Sequence, residues 1–538
     1  MKIQHAAFRG ELPILDPRLL PENNAQVAKN VDLRRGTLNA YKAPLAADSL
    51  PATINPSNLY RYDVGNDGSG FWFSWGSAYD IDVVRSPIAN DPYARVYWTG
   101  QDAPKMGSLA QVTAGTGPYP SDFYQLGVPA PDTGPTATVP ASRTTIPDTA
   151  VETAYVVTLV TVFGEEGPPS DPSASVIRWD NVSGAPAYGD IDITLPALPT
   201  ADLNITKKRL YRVESGAQYQ LVAELTAATT TYTDSVLSEN LGIALQSLEW
   251  DGPDASMQGL TVLPNGILAG FFGNTLAFSE PYLPHAWPVL YQLAFEDPIV
   301  SIAAISNGLV VTTTGKPWLV TGSSPEAMAQ MQLDVNQPCL AKRSSVDMGG
   351  YAIYAGFDGL VAIGGSQAKV ITADVLTREQ WQALNPATLH AYRYDGKYLG
   401  FYDGGSFAFT PGVGIEFYDV LADGGYYDLS EDALYLIQSG TITQWNAGTP
   451  LTYTWRSRVH EIPPGSAGLS CGKLIAYGYP VQLRVYADGI TVLDQPIQSS
   501  QMFRMPPGFT LHRDWEIEME GSAEIASVQL ATSPGELV

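Results

Sequence analysis

A turn-and-strand repeat between residues 252 and 449 constrains the fold of this chain more than any other feature. The turn dipeptides Asn265-Gly266, Asn307-Gly308, Gly349-Gly350 and Asp395-Gly396 each precede an apolar strand pattern, and they start 42, 42 and 46 residues apart. That period is close to the roughly 40 to 50 residues of a four-stranded propeller blade. The repeat predicts a β-propeller-like body, and a β-sandwich with regular hairpins is the alternative.

Two further segments resemble blades of the same body. Residues 434–437, followed by Ser439-Gly440 and Trp445, form a half-matched unit that predicts the next blade. Residues 59–106 contain the aromatic run 71–75 and a second strand pattern, although they lie far from the repeat in sequence. A propeller closed by strands from both ends of its chain would explain that separation, so we assign both segments to one body.

The segment between these two parts resembles a fibronectin type III domain. A stretch rich in Pro, Thr and Ala comes first and is typical of a linker. The resemblance is carried by alternating strand patterns and turns at residues 155–160, 164–170, 209–213 and 231–234. Domains of this fold usually act as spacers or in adhesion.

The carboxyl-terminal segment alternates apolar and polar residues. Val481, Leu483 and Val485 are separated by polar or aromatic residues, and three apolar residues alternate with three glutamates across residues 515–520. Alternation with a period of two predicts strands with one packed face, here opposite a solvated acidic face. A small β-sandwich is therefore expected.

Only residues 377–384 have the pattern of a helix. Thr377 and Gln380 match a capping box, and Asn385-Pro386 ends the pattern. The 50 glycines, 41 prolines and 29 tyrosines of the chain suit many short strands joined by tight turns. The predicted fold class is all-β.

A chain of 538 residues is too long for one hydrophobic core, so several domains are expected. The predicted parts are an amino-terminal strand segment and arm (1–54), the first part of the propeller-like body (55–130), a linker (131–148), the fibronectin type III-like domain (149–245), the remainder of the propeller-like body (246–450) and a carboxyl-terminal β-sandwich (451–538).

The charge balance argues against a protein that binds nucleic acid. The chain has 30 basic and 55 acidic residues, a net charge of -25, and its longest basic run is Lys207-Lys208-Arg209. Proteins that bind DNA neutralise phosphates with basic patches, so this chain should repel DNA. Solubility alone is the alternative explanation of the acidity.

No motif for catalysis, cofactor binding or metal binding is present, and we predict that the chain is not an enzyme. Cys339 and Cys471 lie 132 residues apart and are expected to be small buried hydrophobic residues. The five histidines stand singly, without metal-ligand spacing; they are His5, His285, His390, His460 and His512.

Two weak matches to ligand loops are rejected on spacing. Gly315-Lys316-Pro317 has proline where a phosphate loop needs Ser or Thr. Asp63, Asn66 and Asp67 before Gly68 fail the ligand spacing of a calcium loop, and a turn is the better interpretation. No apolar run of 18 residues occurs, so no membrane span is expected.

Two patches, an amino-terminal stretch in three pieces and a later stretch, resemble the tail nozzle family of podoviruses, the short-tailed bacteriophages. Together with the propeller-like repeat, the resemblance is carried by residues 8–13, 16–21, 25–36 and 278–288. It implies a structural protein of the virion tail, assembled in the bacterial cytoplasm. It also implies a homo-oligomeric ring, expected to be a hexamer, in contact with the portal, the head-to-tail adaptor and a tail fibre or spike. DNA would pass through the lumen without specific binding.

The acidity acquires a use within that family. If six copies surround a channel, carboxylates facing the lumen keep the DNA polyanion from adhering to the wall. Within the patch 278–288, prolines 281, 284 and 288 and the large side chain of Trp287 predict a structural anchor rather than a catalytic loop.

Two other functions compete with the nozzle. A tail protein that binds a receptor or glycan would use exposed aromatic side chains such as Trp445 or Trp455. A depolymerase would need a pair of carboxylates in a groove, and no particular pair stands out in the sequence.

Overall fold

The fold is all-β, as predicted. The computed structural model describes residues 1–50, 56–63, 70–200, 204–216, 218–463, 468–509 and 512–537. In these ranges, regular structure is mostly antiparallel strand, and the two α-helices are α1 (Leu109–Val112) and α2 (Arg378–Gln382).

The strands of the first half of the chain include the longest ones, β13 and β16. They are β1 (Lys2–His5), β2 (Ala25–Lys29), β3 (Val31–Asp32), β4 (Asn39–Ala40), β5 (Leu45–Ser49), β6 (Pro56–Tyr62), β7 (Phe71–Gly76), β8 (Asp82–Arg85), β9 (Val96–Thr99), β10 (Lys105–Gly107), β11 (Tyr124–Gln125), β12 (Thr136–Thr138), β13 (Val151–Thr161), β14 (Val176–Arg178), β15 (Ile191–Thr194), β16 (Ile205–Glu214), β17 (Gln220–Thr226), β18 (Thr231–Asp234), β19 (Gln258–Val262), β20 (Leu268–Phe272), β21 (Thr275–Phe278) and β22 (Gln292–Ala294).

The strands of the second half follow one another at short intervals. They are β23 (Ile299–Ile305), β24 (Gly308–Thr313), β25 (Trp318–Thr321), β26 (Ala329–Gln332), β27 (Val346–Asp347), β28 (Ala352–Ala355), β29 (Leu360–Gly364), β30 (Gln367–Val370), β31 (His390–Tyr394), β32 (Lys397–Tyr402), β33 (Gly405–Thr410), β34 (Gly414–Tyr418), β35 (Gly424–Asp428), β36 (Ala433–Gln438), β37 (Thr441–Gln444), β38 (Tyr453–Ser457), β39 (His460–Glu461), β40 (Cys471–Ala476), β41 (Val481–Ala487), β42 (Ile490–Ile497), β43 (Phe503–Arg504), β44 (Asp514–Gly521) and β45 (Ile525–Ala531).

The chain forms two compact units. Unit 1 consists of Met1–Ala78, Val300–Val320 and Met331–Val538, and unit 2 consists of Tyr79–Ile299 and Thr321–Gln330. The aromatic run 71–75 therefore lies in the same unit as residues 309–313. The predicted domain boundaries concern parts of the chain that fold independently, and they remain predictions.

The repeat found in the sequence corresponds to successive four-stranded sheets. Their strand orders are β19-β20-β21-β22, β23-β24-β25-β26 and β27-β28-β29-β30, and β31 to β34 form a fourth such set. Each repeated turn dipeptide begins between the first and second strands of its set, and Gly308 is already the first residue of β24. Asn265 and Asp395 have φ values of 67° and 51°, in the left-handed region that Asn and Asp tolerate better than other side chains. This regular arrangement confirms a propeller-like body.

The half-matched unit lacks a fourth strand in its own sequence because the amino-terminal arm supplies it. Strands β35, β36 and β37 are completed by β5, which pairs antiparallel with β37 in a register that includes Leu45↔Gln444. Trp445, immediately after β37, is buried.

The fibronectin-like segment is a two-layer sandwich within unit 2. One sheet has the order β12-β15-β18 and the other the order β14-β13-β16-β17. Tyr155, Val157 and Leu210 of the second sheet share a buried core with Ile191 and Ile193 of the first. The alternating residues of these strands thus form the packed interior that such a sandwich requires.

Strand β2 joins the fourth blade-like set to the carboxyl-terminal strands. It lies between β34 and β38 in a sheet of order β31-β32-β33-β34-β2-β38-β44-β41-β42, with β39 paired to β44. The opposite layer, β1-β45-β40-β43, also contains an amino-terminal strand. Trp455, Leu483 and Ile517 from the first layer share one core with Ile3 and Val528 from the second.

The prediction of a solvated acidic face on the carboxyl-terminal sandwich was wrong. The apolar residues alternate into the core as expected, but the intervening glutamates are ion-paired. Arg484 contacts Glu518 at 2.8 Å and Glu520 at 2.7 Å, and Arg456 contacts Glu516 at 2.8 Å. The cause is strand register, since Arg484 lies directly opposite Glu518 on the neighbouring strand.

The predicted helix is confirmed, and a second one was missed. Thr377 and Gln380 form the capping box on α2: the Gln380 backbone N–H donates to Thr377 Oγ1, and the Thr377 N–H donates to Gln380 Oε1. Asn385 follows with a φ of 50°. The single turn α1 lacks a side-chain cap and so left no signature.

The side chain of Glu11 allows a test of the contacts around β2, the strand between β34 and β38. Its Oε1 accepts a hydrogen bond from the Ala28 backbone N–H at 2.6 Å, and burial raises the pKa of this carboxyl to about 7. A carboxyl whose pKa is raised by folding contributes to the free energy of unfolding in full at pH values below its unfolded pKa of 4.5. This contribution is lost as the pH rises through the folded pKa of about 7. Glu11→Gln keeps an acceptor without the titration. We expect its free energy of unfolding to fall less than that of the parent between pH 5 and pH 8, measured by urea denaturation.

The exposed Glu22 supplies the matched control, because Glu22→Gln removes the same charge from the surface. The control should retain the pH dependence of the parent. Equal pH dependence of the parent and the Glu11→Gln variant would contradict this assignment.

Candidate functional site

The acidity of the chain is concentrated in unit 2. Unit 2 has 26 Asp and Glu residues against 9 Lys and Arg, whereas unit 1 has 29 against 21. The net charges are therefore -17 and -8, although unit 2 is the shorter of the two. A surface with an acidic function is best sought in unit 2.

Residues 213–315 contain no Lys or Arg, and we call this segment the acidic stretch. It covers β17 to β24. Its ten carboxylates are Glu214, Glu224, Asp234, Glu239, Glu249, Asp251, Asp254, Glu280, Glu296 and Asp297.

The first three of these carboxylates are neutralised by cations that precede the stretch. Arg212 contacts Glu214 at 2.8 Å and Asp234 at 2.7 Å, and Arg209 contacts Glu224 at 3.0 Å. These pairs belong to the sandwich. They hold its strands together and leave little net charge there.

The later carboxylates flank the sheet β19-β20-β21-β22. Glu249, Asp251 and Asp254 lie exposed on the connection before β19, and Asp297 lies between β22 and β23. Within the described ranges, none of these four has a Lys or Arg partner within 4 Å. No ion pair among the described residues therefore offsets the formal charge of these four side chains.

The patch 278–288 contacts the connection that carries Glu249, Asp251 and Asp254. Trp287 is 2% exposed, and its Nε1–H donates to the Pro284 carbonyl at 2.8 Å. The Trp287 backbone N–H donates to the carbonyl of Asp251 at 2.7 Å. Ser279 is also buried and accepts a hydrogen bond from the Leu268 N–H. The patch thus fixes the backbone that carries Asp251.

A buried ion pair fixes the sandwich to the β8–β11 sheet within unit 2. Arg95 contacts Asp91 and Glu165, each at 2.7 Å, and its guanidinium lies 5.4 Å from the Phe163 ring centroid. His285 is buried nearby, and burial, with Arg95 adding to it, lowers the pKa of its imidazole to about 4. The sandwich is therefore held by specific contacts.

The remaining histidines do not form a metal site. The Nε2 atoms of His5 and His460 are hydrogen-bonded to each other at 3.0 Å. Burial lowers the pKa of His5 to about 3 and the pKa of His460 to about 4. His390 contacts the Ala422 carbonyl, and His512 contacts Asp488. Across the part of the chain that the structure describes, no group of three His, Cys, Asp or Glu residues could hold a metal ion.

The other candidate residues have structural positions. Cys339 and Cys471 are buried, as predicted. Gly315 and Lys316 lie in the turn between β24 and β25, and Lys316 pairs with Asp334. Of the rejected calcium loop, Asn66 and Asp67 lie outside the described residues.

The expectation that Trp445 or Trp455 is exposed was wrong. Trp445 is 2% exposed and packs against Tyr41, Phe401 and Tyr418. Trp455 is fully buried, with the Phe8 ring 5.0 Å away. Each follows or belongs to a strand whose inner face forms a core, so neither side chain is available to stack on a sugar.

Sequence reasoning also missed side-chain pairs whose members lie far apart in the sequence. In unit 2, Arg95 and Glu165 are separated by 70 residues, and in unit 1, His5 and His460 are separated by 455. Neither pair carries a local signal. The acidic stretch itself could have been found by following charge along the chain.

No family model and no curated protein matches the chain. Among solved structures, YCF48 from Cyanidioschyzon merolae is 11% identical, with a TM-score of 0.25, over 74% of this chain and 98% of that one. BBS1N in complex with ARL6DN is 9% identical, with a TM-score of 0.26, over 76% and 96%. An exo-beta-1,3-galactanase from Phanerochaete chrysosporium is 10% identical, with a TM-score of 0.20, over 91% and 100%. TM-scores this low support no inference about function.

None of the described helices is long and apolar enough to cross a membrane.

Trp287 provides a direct test of the anchor. Replacing it with Ala removes a buried aromatic side chain, and we expect a loss of about 3 to 5 kcal/mol in the free energy of unfolding. Leu290→Ala is the matched control in the same loop, because Leu290 is 79% exposed and its removal should change stability by less than about 0.5 kcal/mol. Thermal melts that coincide for Trp287→Ala and the parent would contradict the anchor.

Proposed function

We propose that this chain is a structural protein of a short bacteriophage tail, one of several copies, most simply six, that form a nozzle ring around the path of DNA. The observation that carries the proposal is the acidic stretch. It combines four exposed or half-exposed carboxylates, which have no cationic partner among the described residues, with a loop that resembles a nozzle signature and that fixes the backbone of Asp251.

The proposed chemistry of the wall is electrostatic. A basic or neutral wall would bind DNA phosphates with release of counterions, and that attachment would grow with every contact. A carboxylate such as Asp297 offers the phosphates no partner. At physiological salt the Debye length is about 8 Å, so repulsion acts only close to the wall and does not obstruct DNA on the axis.

The amino-terminal residues that resemble the family support the same proposal. Phe8 is buried against Trp455, and Glu11 is hydrogen-bonded to Ala28 of β2. These contacts connect the amino-terminal segment to the rest of unit 1, which is a structural role and agrees with the proposal. The proposed location is the virion tail, after assembly in the bacterial cytoplasm, next to the portal, the adaptor and a fibre or spike.

The two competing functions have less support. Binding of a receptor or glycan was based on exposed tryptophans, and both of those named are buried. A depolymerase would need a carboxylate pair in a groove, and no observation favours a particular pair.

Electron cryo-microscopy of the assembled virion tests the proposal. We expect density for this chain in the tail as a six-fold ring, with more Asp and Glu than Lys and Arg on its narrowest wall. A ring of another order, or a narrowest wall lined by Lys and Arg, would contradict the nozzle. A peripheral adhesive role would then be the better account.

A further inference from the structure

The outer edge of strand β1 is a second candidate binding surface of this chain. β1 is the outermost strand of the sheet β1-β45-β40-β43, and among the described residues it pairs with β45 alone. Its other edge borders two cavities. The larger, of about 530 Å³, is lined by residues that include Lys2, Arg18, Arg458 and His460, and the smaller, of about 340 Å³, by residues that include Gln4. We call these two cavities together the β1 groove.

The backbone of β1 is arranged to accept another strand. Thr532 N–H donates to the Met1 carbonyl at 3.1 Å, and Ile3 lies opposite Leu530. In an antiparallel pair, alternate residues direct their N–H and C=O groups to opposite edges. Lys2 and Gln4 therefore direct their backbone groups into the β1 groove. An exposed strand edge of this kind is a template for pairing with a further extended segment.

The charge of the groove is opposite to that of the chain as a whole. Within the described part of the molecule, neither Lys2 nor Arg458 has a carboxylate within 4 Å. The guanidinium of Arg458 is held by the carbonyls of Arg18, at 2.8 Å, and Val459, at 3.2 Å. Both bonds fix the cation without neutralising it.

The other charges of the groove do not cancel this excess. Arg18 pairs with Asp514 at 2.8 Å and with Glu461 at 3.8 Å, and Glu461 also pairs with Arg513 at 3.1 Å, so both Arg18 and Glu461 are neutralised. Glu22 is the remaining carboxylate of the lining. Among the described residues of the lining, two cations without a carboxylate partner thus face one carboxylate without a cationic partner. The complement of this surface is an extended segment that brings several carboxylates.

We propose that the β1 groove binds an acidic segment of a second copy of this chain, the connection that carries Glu249, Asp251 and Asp254. The side chains of Glu249, Asp251 and Asp254 are exposed and lie in the acidic stretch. Glu249 ends the 3-10 turn Ser247–Glu249, and residues 250–254 after it have no regular structure. Contact between different surfaces of identical copies is head to tail and closes into a ring when the rotation permits. The inference rests on the proposed function and supplies the contact between neighbouring copies; other carboxylates of the stretch remain available for the lumen.

The test uses charge exchange in the full-length protein. Mass photometry and analytical ultracentrifugation over a range of concentrations compare the parent with the double variant Lys2→Glu/Arg458→Glu. The parent should assemble, and the double variant should associate at least about tenfold more weakly. Lys369→Glu is the control, because it reverses an exposed cation on β30 and should assemble as the parent does. Circular dichroism melts establish that each variant folds.

A compensating variant identifies the occupant. Lys2→Glu/Arg458→Glu combined with Glu249→Lys, Asp251→Lys and Asp254→Lys exchanges the charges of the two surfaces, and assembly should return. Failure of this variant to assemble, assembly of the double variant equal to that of the Lys369→Glu control, or a parent that stays monomeric at every concentration would each overturn the inference.

The outcomes for the groove and for the nozzle are separable. A six-fold ring in the virion whose β1 groove is empty overturns the groove contact and leaves the nozzle intact. Absence of the chain from the tail overturns the nozzle, whatever the protein does in solution.

Discussion

Strand β2 is the element on which the architecture of unit 1 depends. It runs parallel to β34, with Lys29 opposite Phe417, and antiparallel to β38, with Lys29 opposite Thr454. Immediately after it, Asn30 donates to Asp419 and to the Thr452 carbonyl, and accepts from the Asp419 N–H. One short strand and one amide thus tie the blade-like sheets to the carboxyl-terminal sandwich. Because the strand comes from the amino-terminal arm, the two ends of the chain must meet before this sheet is complete.

The sequence predicted those parts of the fold whose causes lie within a few residues. The turns at Asn265 and Asp395 adopt left-handed backbone conformations that favour Asn, Asp and Gly, and such turns leave a local signature. The capping box of α2 is equally local. The pairing of β5 with β37 and of β1 with β45 is different, because each partner lies hundreds of residues away. Alternation shows that a strand has a packed face, but it does not show which strand lies beside it.

The same distinction explains the errors at the candidate sites. Alternation correctly placed Ile517 and Met519 in the core, yet the fate of Glu518 depended on the arginine opposite it. Trp445 and Trp455 were treated as surface residues because nothing nearby in sequence announced their neighbours, Tyr418 and Phe8. The total charge of -25 predicted an acidic protein but not the location of the acid. The location emerged when charge was followed along the chain, since 103 consecutive residues lack Lys and Arg.

Charge also limits how copies of this chain can assemble into the proposed ring. Copies that each carry -25 repel one another, so a stable ring needs either a large apolar contact or cations placed where copies meet. Most arginines of unit 1 described above, such as Arg456 and Arg484, are already committed to carboxylates of their own chain. Lys2 and Arg458 have no carboxylate partner among the described residues, and both border an edge of β1 at which no described strand is paired. At physiological salt the repulsion between distant charges is screened over about 8 Å, whereas a desolvated pair at the contact is screened much less. A few uncommitted cations at a strand edge can therefore determine the orientation of neighbouring copies even when the total charge opposes their approach.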